Sequence, residues 1–309
     1  MPKPWRRLPP NRDSSVTERI DLPVAGGALA TFRLGERRNP PRYALAVHGI
    51  TATSRAWLAV ARELGADATL LAPDLRGRGR SNELPGPYGI GVHADDMLAV
   101  LDHFGFARAV LVGHSLGAYI LARLAAEHPE RVIALVLVDG GLTSPMPPGV
   151  DPQALLDASI GPALARLKMT FPDREAYRAW WRRHPALDGS DVDYADLAAY
   201  ADYDLVGQEP ELRSSASQEA VRSDAAELLE MGEAAQHLTI PARHLCAPRG
   251  FQDDPNPVQP LELVQKWAAQ APDQRRIEQV PDVNHYTLVM GQRGARAVAA
   301  AVREALAPA

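Results

Sequence analysis

The sequence has a single cysteine, Cys246, in 309 residues. No internal disulfide can form, and zinc sites built on paired cysteines are excluded. One thiol fits a reducing compartment. No segment approaches the ~20 apolar residues of a membrane-spanning helix. The N-terminal stretch Met1–Pro10 carries basic residues and prolines but no apolar run behind them, so no secretory signal is expected. Charge of one sign is also in short supply: 33 Lys and Arg against 38 Asp and Glu give a formal net charge of −5. That balance offers no general attraction to nucleic acid or to an anionic membrane. A soluble, cytoplasmic protein is expected, with a loose Pro- and Arg-rich arm over about the first 15 residues.

Apolar residues (46%) and charged residues (23%) are present in the proportions of a globular enzyme. The length suits one large core, or one core carrying an insertion. Thr17–Val24 and Ala28–Leu34, split by Gly26-Gly27, read as a hairpin. Tyr43–Val47, Thr69–Ala72, Ala109–Val112 and Val132–Val138 are short apolar runs suited to strands buried on both faces. Helical patterns lie between them at Arg55–Leu64, Val92–Phe104 and Leu116–Glu127. This alternation predicts parallel β-α-β units. From Leu142 to Gln236 the pattern is helical with no convincing strand, and Asp173, Ser190 and the pair Ser215/Gln218 are the expected N-terminal caps. Strand patterns return at Ala242–Ala247 and Arg276–Val280, with helices at Pro260–Ala269 and Gly294–Leu306. The expected organisation is an α/β core over 1–141 and 237–309, interrupted by a helical cap over 142–236.

The strongest chemical signal is Gly113-His114-Ser115-Leu116-Gly117, which follows an apolar strand and opens an apolar helix. That is the context of a nucleophile elbow, where a sharp turn presents a serine at the carboxyl end of a sheet. A chance match in a Gly-rich turn is the bland alternative. A serine hydroxyl needs a base to become a nucleophile. Of nine histidines, His285 stands just after the last strand, at the same sheet edge as Ser115. The base needs an acid to fix its tautomer. The loop after Ala242–Ala247 offers Asp253, with Asp254 beside it, and Asp139 follows the preceding strand. Asp253 is the first choice, and all three stay open. The backbone N–H groups of Leu116 and of Ile50, in the loop His48-Gly49-Ile50-Thr51, are the expected oxyanion donors.

These motifs together resemble the α/β-hydrolase superfamily, from about Thr17 to Leu306: His48-Gly49-Ile50, Asp74–Ser81, Gly113–Gly117, Gly250 with Asp253, and Asn284-His285. The resemblance implies an eight-stranded, mostly parallel sheet flanked by helices, a helical cap inserted after strand six, and neither metal nor organic cofactor. It also implies that Asp74–Ser81 is a structural loop, so its arginines are loop chemistry. The order Ser115, Asp253, His285 is the order expected of this fold. Similar dehalogenases and epoxide hydrolases would carry an aspartate at position 115; a serine there favours acyl transfer from a small or medium ester or lactone to water. A thioesterase, an amidase, a carbon–carbon bond hydrolase, a lyase or a ligand-binding protein could use the same frame. Tyr177 and Trp181, four apart on one cap helix, are expected either to line the pocket for a small acyl substrate or to pack the cap onto the core.

Overall fold

The structure is a computed structural model and describes residues 16–36, 42–143, 161–230 and 233–307. The expected N-terminal arm falls outside them. Ten strands occur in chain order among the described residues: β1 Val16–Val24, β2 Gly27–Leu34, β3 Tyr43–Val47, β4 Thr69–Pro73, β5 Ala109–His114, β6 Val132–Val138, β7 Leu205–Val206, β8 Arg213–Ser214, β9 Ala242–Cys246 and β10 Arg275–Gln279. Eight of them form one sheet in the order β1-β2-β4-β3-β5-β6-β9-β10. β1 and β2 are the antiparallel hairpin expected at Gly26-Gly27, β2 runs antiparallel to β4, and the remaining pairs are parallel.

The apolar runs explain why these segments are central strands. Along β5, Leu111 faces one apolar cluster while Val110 and Val112 face the other. β3 and β6 divide in the same way, Leu45 and Val47 against Ala44 and Ala46, Leu135 and Leu137 against Val136 and Val138. A strand covered by helices on both faces needs apolar residues at every position. Helices Ile90–His103, Leu116–Glu127 and Leu261–Ala269 cover one face; helices Leu58–Leu64 and Gln292–Leu306 cover the other. Cys246 is fully buried in β9, and burial pushes its thiol up to about 12.

Between β6 and β9 the chain leaves the sheet. Helices Arg174–Arg182, Tyr194–Asp204 and Gln218–Glu230 pack with the two-residue strands β7 and β8, which pair antiparallel. These strands depart from the all-helical expectation. A separate apolar cluster holds this segment together, including Phe171, Tyr177, Trp181, Leu197 and Tyr200, and it meets the core at Ala56 and Met290. Two expected caps shift. Asp173 does cap its helix, through Ala176 N. Ser190 does not cap the next helix: Asp193 accepts from Ala195 N and Asp196 N instead. Ser217, rather than Ser215, accepts from Ala220 N, because the Ser215 hydroxyl is bonded to buried Asp204. Among the described residues no helix is long and apolar enough to cross a membrane.

Candidate active site

Ser115 sits between β5 and the helix Leu116–Glu127 with φ 53° and ψ −121°. A non-glycine residue held there stores on the order of 1–3 kcal/mol of strain. The strain persists because the surrounding chain leaves no other path. A Cβ at Gly113 would lie 2.3 Å from the Gly117 carbonyl oxygen, and one at Gly117 would lie 2.1 Å from the Val47 oxygen. Only glycine at both positions lets the turn close, so the motif spacing is a steric requirement. Ser115 is half-buried at the carboxyl edge of the sheet.

His285 follows β10 and is buried at 3% exposure. Its Nδ1 lies 2.7 Å from Oδ2 of Asp139. Asp139 follows β6 directly, with φ 46°, and is fully buried. Its Oδ1 accepts from Ala247 N at 3.1 Å, and its own N–H donates to the Leu245 carbonyl at 2.8 Å. The carboxylate is therefore built into the ends of β6 and β9.

This corrects the expectation for Asp253. Asp253 Oδ1 accepts from Asn284 Nδ2 at 2.9 Å, and its Oδ2 lies 3.1 Å from Arg249 Nη1. It lines a separate polar cleft with Asp188, Asp282 and Arg293. Asp254 accepts from Asn256 N and Gln252 N within its own turn. The doubled aspartate is turn chemistry, as its neighbouring prolines allow. Asp253 still touches the site indirectly: Asn284, which it binds, immediately precedes His285.

Ser115 and His285 line one cavity of about 240 Å³. The core contributes Gly49, Ile50, Thr51, His114 and Phe251; the segment between β6 and β9 contributes Pro162, Ala163, Arg166, Trp180 and Trp181. Of the two expected aromatic contacts, Trp181 reaches this cavity and Tyr177 does not. The Tyr177 hydroxyl is directed away, donating to Asp204 and meeting Arg166. Trp180 joins Trp181 on the wall, their rings edge to face with centroids 5.0 Å apart. Arg166 and Phe251 carry no expected role from the sequence; the Phe251 ring centroid lies 4.4 Å from that of His285.

The loop bearing Ile50 lies against the serine: a Cβ at Gly49 would be 3.2 Å from Ser115 Cβ. Leu116 is the first residue of the helix after the serine, so its N–H is one of the unpaired donors of a helix start. Burial disfavours the charged form of three histidines nearby, His114, His48 and His184. Burial, then the neighbouring His285, holds His114 well below its usual range, and its Nε2 is 3.0 Å from the His285 carbonyl. Burial lowers His48 to about 4. Burial, then Arg166, lowers His184 to about 4. Arg76 and Arg78, in the arginine-rich loop after β4, are buried at 2% and 0% exposure and lie against Asp96 and Asp224. They are loop chemistry and present no basic patch.

Known proteins resemble this chain in part of its sequence and in its fold. Residues 45–159 match the family model of the alpha/beta hydrolase fold. Lipase LipV of Mycobacterium tuberculosis is 39% identical over 99 residues, covering 32% of this chain and 37% of the lipase. The chain thus spans about a third of that relative. Among solved structures, E-2-(acetamidomethylene)succinate hydrolase superposes with a TM-score of 0.73 at 24% identity, covering 93% of this chain and 97% of that one. The thioesterase domain from the curacin biosynthetic pathway gives 0.69 at 19% identity, covering 94% and 99%. These likenesses are of fold.

Proposed function

We propose that this chain, which carries the α/β-hydrolase fold along its described length and the family's sequence signature over residues 45–159, is a serine hydrolase. In this reading it cleaves a small or medium carboxylic ester or lactone through an acyl-enzyme, with Ser115 as nucleophile, His285 as base and Asp139 as acid. The observation that carries the proposal is the 2.7 Å contact between buried Asp139 and Nδ1 of His285, which lines the same cavity as Ser115.

The chemistry follows from that contact. With Nδ1–H donated to Asp139, the unprotonated nitrogen of neutral His285 is Nε2. Ser115 Oγ attacks the acyl carbon while Nε2 takes its proton. Asp139 stays ionised and stabilises the imidazolium. The carbonyl oxygen becomes an oxyanion, held by the N–H groups of Ile50 and Leu116. The tetrahedral intermediate collapses, the C–O bond to the alcohol breaks, and His285 returns the proton to the departing oxygen. Water repeats the sequence on the acyl-enzyme and releases the acid and free Ser115. The apolar wall of Trp180, Trp181, Val289 and Met290 suits an acyl chain of modest length.

A fluorophosphonate probe tests this directly. It should label wild-type protein at Ser115, and Ser115→Ala should abolish both labelling and ester hydrolysis. A panel of matched oxygen esters, thioesters and amides then sets the bond cleaved. Retention of a tenth of the activity by Ser115→Ala would sink the proposal.

A further inference from the structure

Three consecutive carbonyls of the loop expected to bind the oxyanion each receive a buried donor. The Gly49 oxygen accepts from His48 Nδ1 at 2.8 Å and from Ala52 N at 3.1 Å. His48 Nε2 accepts from Leu75 N at 3.0 Å, which fixes the proton on Nδ1. The Ile50 oxygen accepts from Arg78 Nε at 2.9 Å. The Thr51 oxygen accepts from Arg166 Nη2 at 3.0 Å. A trans peptide points its C=O and N–H in opposite directions. The Ile50 N–H shares its peptide with the Gly49 carbonyl, and the Thr51 carbonyl shares its peptide with the Ala52 N–H that donates to that Gly49 oxygen, so a donor fixed on Thr51 reaches the Ile50 N–H through one hydrogen bond.

Each arginine is anchored in turn by a fully buried carboxylate from the segment between β6 and β9. Arg166 Nη1 donates to Asp204 Oδ2 at 2.8 Å, and Asp204 also accepts from Ser214 and Ser215. Arg78 Nη2 lies 2.6 Å from Asp224 Oδ2, close but poorly aligned for a hydrogen bond. Arg166 itself comes from that segment. A buried ion pair is weak evidence for stability, because desolvation offsets most of the attraction. Two such pairs, both ending on the same loop, call for another reason.

We infer that Arg166 is a positioning residue for the oxyanion donors: paired with Asp204, it clamps the Thr51 carbonyl and, with Arg78 on Ile50, holds the 49–51 loop so that the Ile50 N–H faces the oxygen that becomes negative at Ser115. This inference rests on the proposed serine-hydrolase reading. The segment between β6 and β9 then contributes to the rate of the chemical step as well as to the fit of the substrate. The alternative is that the pair only packs that segment onto the core.

The test uses the full chain, a short oxygen ester and an alkyl boronic acid, whose boron accepts Ser115 Oγ to give a tetrahedral adduct with an oxygen at the oxyanion position. Arg166→Gln combined with Asp204→Asn removes both charges together, so no unpaired charge is buried. The expected result is a fall in kcat of about 10²-fold, the scale of losing one oxyanion donor. KM should stay within about threefold, and boronic acid affinity should fall in step with kcat. Arg166→Lys keeps the charge beside Asp204 but lacks the planar fork that reaches two acceptors at once; it should show the same pattern at smaller size, and it decides the matter if the double variant does not fold. A folded variant with unchanged kcat, or one that raises KM alone, overturns the inference while leaving the serine-hydrolase reading standing. Absence of Ser115-dependent hydrolysis in the wild type overturns both.

Discussion

Asp139 and His285 are 146 positions apart in sequence, yet Oδ2 of the first and Nδ1 of the second lie 2.7 Å apart with almost no exposed surface on either. The contact exists because β6 is separated from β10 only by β9, so the ends of β6 and β10 converge at one sheet edge. Asp139 is held there by Ala247 N and Leu245 O, and His285 by the turn that Asn284 organises through Tyr286 N and Thr287 N.

From that contact follows the sharpest expectation. Asp139→Asn replaces the acceptor facing Nδ1 with a group that favours the wrong imidazole tautomer, and kcat should fall on the order of 10³–10⁴-fold. Asp253→Asn should cost much less. It weakens the bonds to Asn284 and Arg249, neither of which touches the ring of His285, and Asn284 keeps its bond to the Ala186 carbonyl at 2.8 Å. Steady-state kinetics on both variants decides it: a crippling Asp253→Asn beside a mild Asp139→Asn would reverse the assignment.

The sheet and the elbow were legible in the sequence because their signals are local. Apolar runs such as Ala109–Val112 and Val132–Val138 declare strands covered on both faces, and the elbow is a five-residue motif, with Gly113 demanded by the backbone of its own turn and Gly117 by the end of β3 beside it. The acid was not legible in that way. Asp139, Asp253 and Asp254 all follow strands, and choosing among them requires knowing which loop end meets His285. One clue lay beside Asp139: a Cβ at Gly140 would strike the Ser115 carbonyl oxygen at 2.4 Å, so this glycine marks the close approach of the β6 end to the elbow. Arg166 gave no signal at all. Its partners Thr51, Asp204 and Tyr177 come from three separate elements, and its meaning is entirely tertiary. Ser215 misled for the same reason, its hydroxyl being bonded to Asp204 rather than to the helix behind it.

The elbow should be stable without its hydroxyl and more relaxed without its side chain. At φ 53° and ψ −121° Ser115 occupies backbone space that glycine enters freely. Ser115→Ala should be inactive with stability within about 1 kcal/mol of wild type. Ser115→Gly, equally inactive, should be no less stable than Ser115→Ala despite a glycine's entropy cost of about 0.4–1 kcal/mol in the unfolded chain. Thermal melts compare the two, and a Ser115→Gly Tm well below that of Ser115→Ala would show that no strain is stored there.

Stability should fall with acid before the carboxylates titrate. Burial keeps His48 and His244 neutral down to about 4 in the folded chain, against 6.5 for an ordinary histidine. Between those values the unfolded chain binds more protons, so stability is complete above about pH 6.5 and is lost as pH drops toward 4. At pH 5 each histidine accounts for a loss of about 2 kcal/mol. Urea midpoints at pH 7.5 and pH 5 measure it, and His244→Gln, whose site lies in β9 bonded to the Gly140 carbonyl, should lessen the difference. Equal midpoints at the two pH values would contradict the burial argument.

Tyr177 and Trp181 should separate packing from substrate selection. Both belong to the helix Arg174–Arg182 and both are buried, at 0% and 1% exposure. Only Trp181 meets the cavity beside Ser115, and its ring also packs edge to face on Tyr200, with centroids 5.3 Å apart. Tyr177→Phe removes a hydroxyl from Asp204 and Arg166 while keeping the ring, so it should lower Tm, with a stability loss of about 1–3 kcal/mol from the unsatisfied partners. The ratio of kcat/KM between long and short esters should not move. Trp181→Ala should do both: a cavity in a buried cluster costs about 3–5 kcal/mol, and the enlarged wall should shift preference toward longer acyl chains. Trp180 completes the comparison, since it lines the same wall but is only partly buried. Trp180→Ala should shift the ester ratio with a smaller loss of Tm than Trp181→Ala. If all three variants lower Tm and leave the ratio untouched, the acyl chain does not run along this helix.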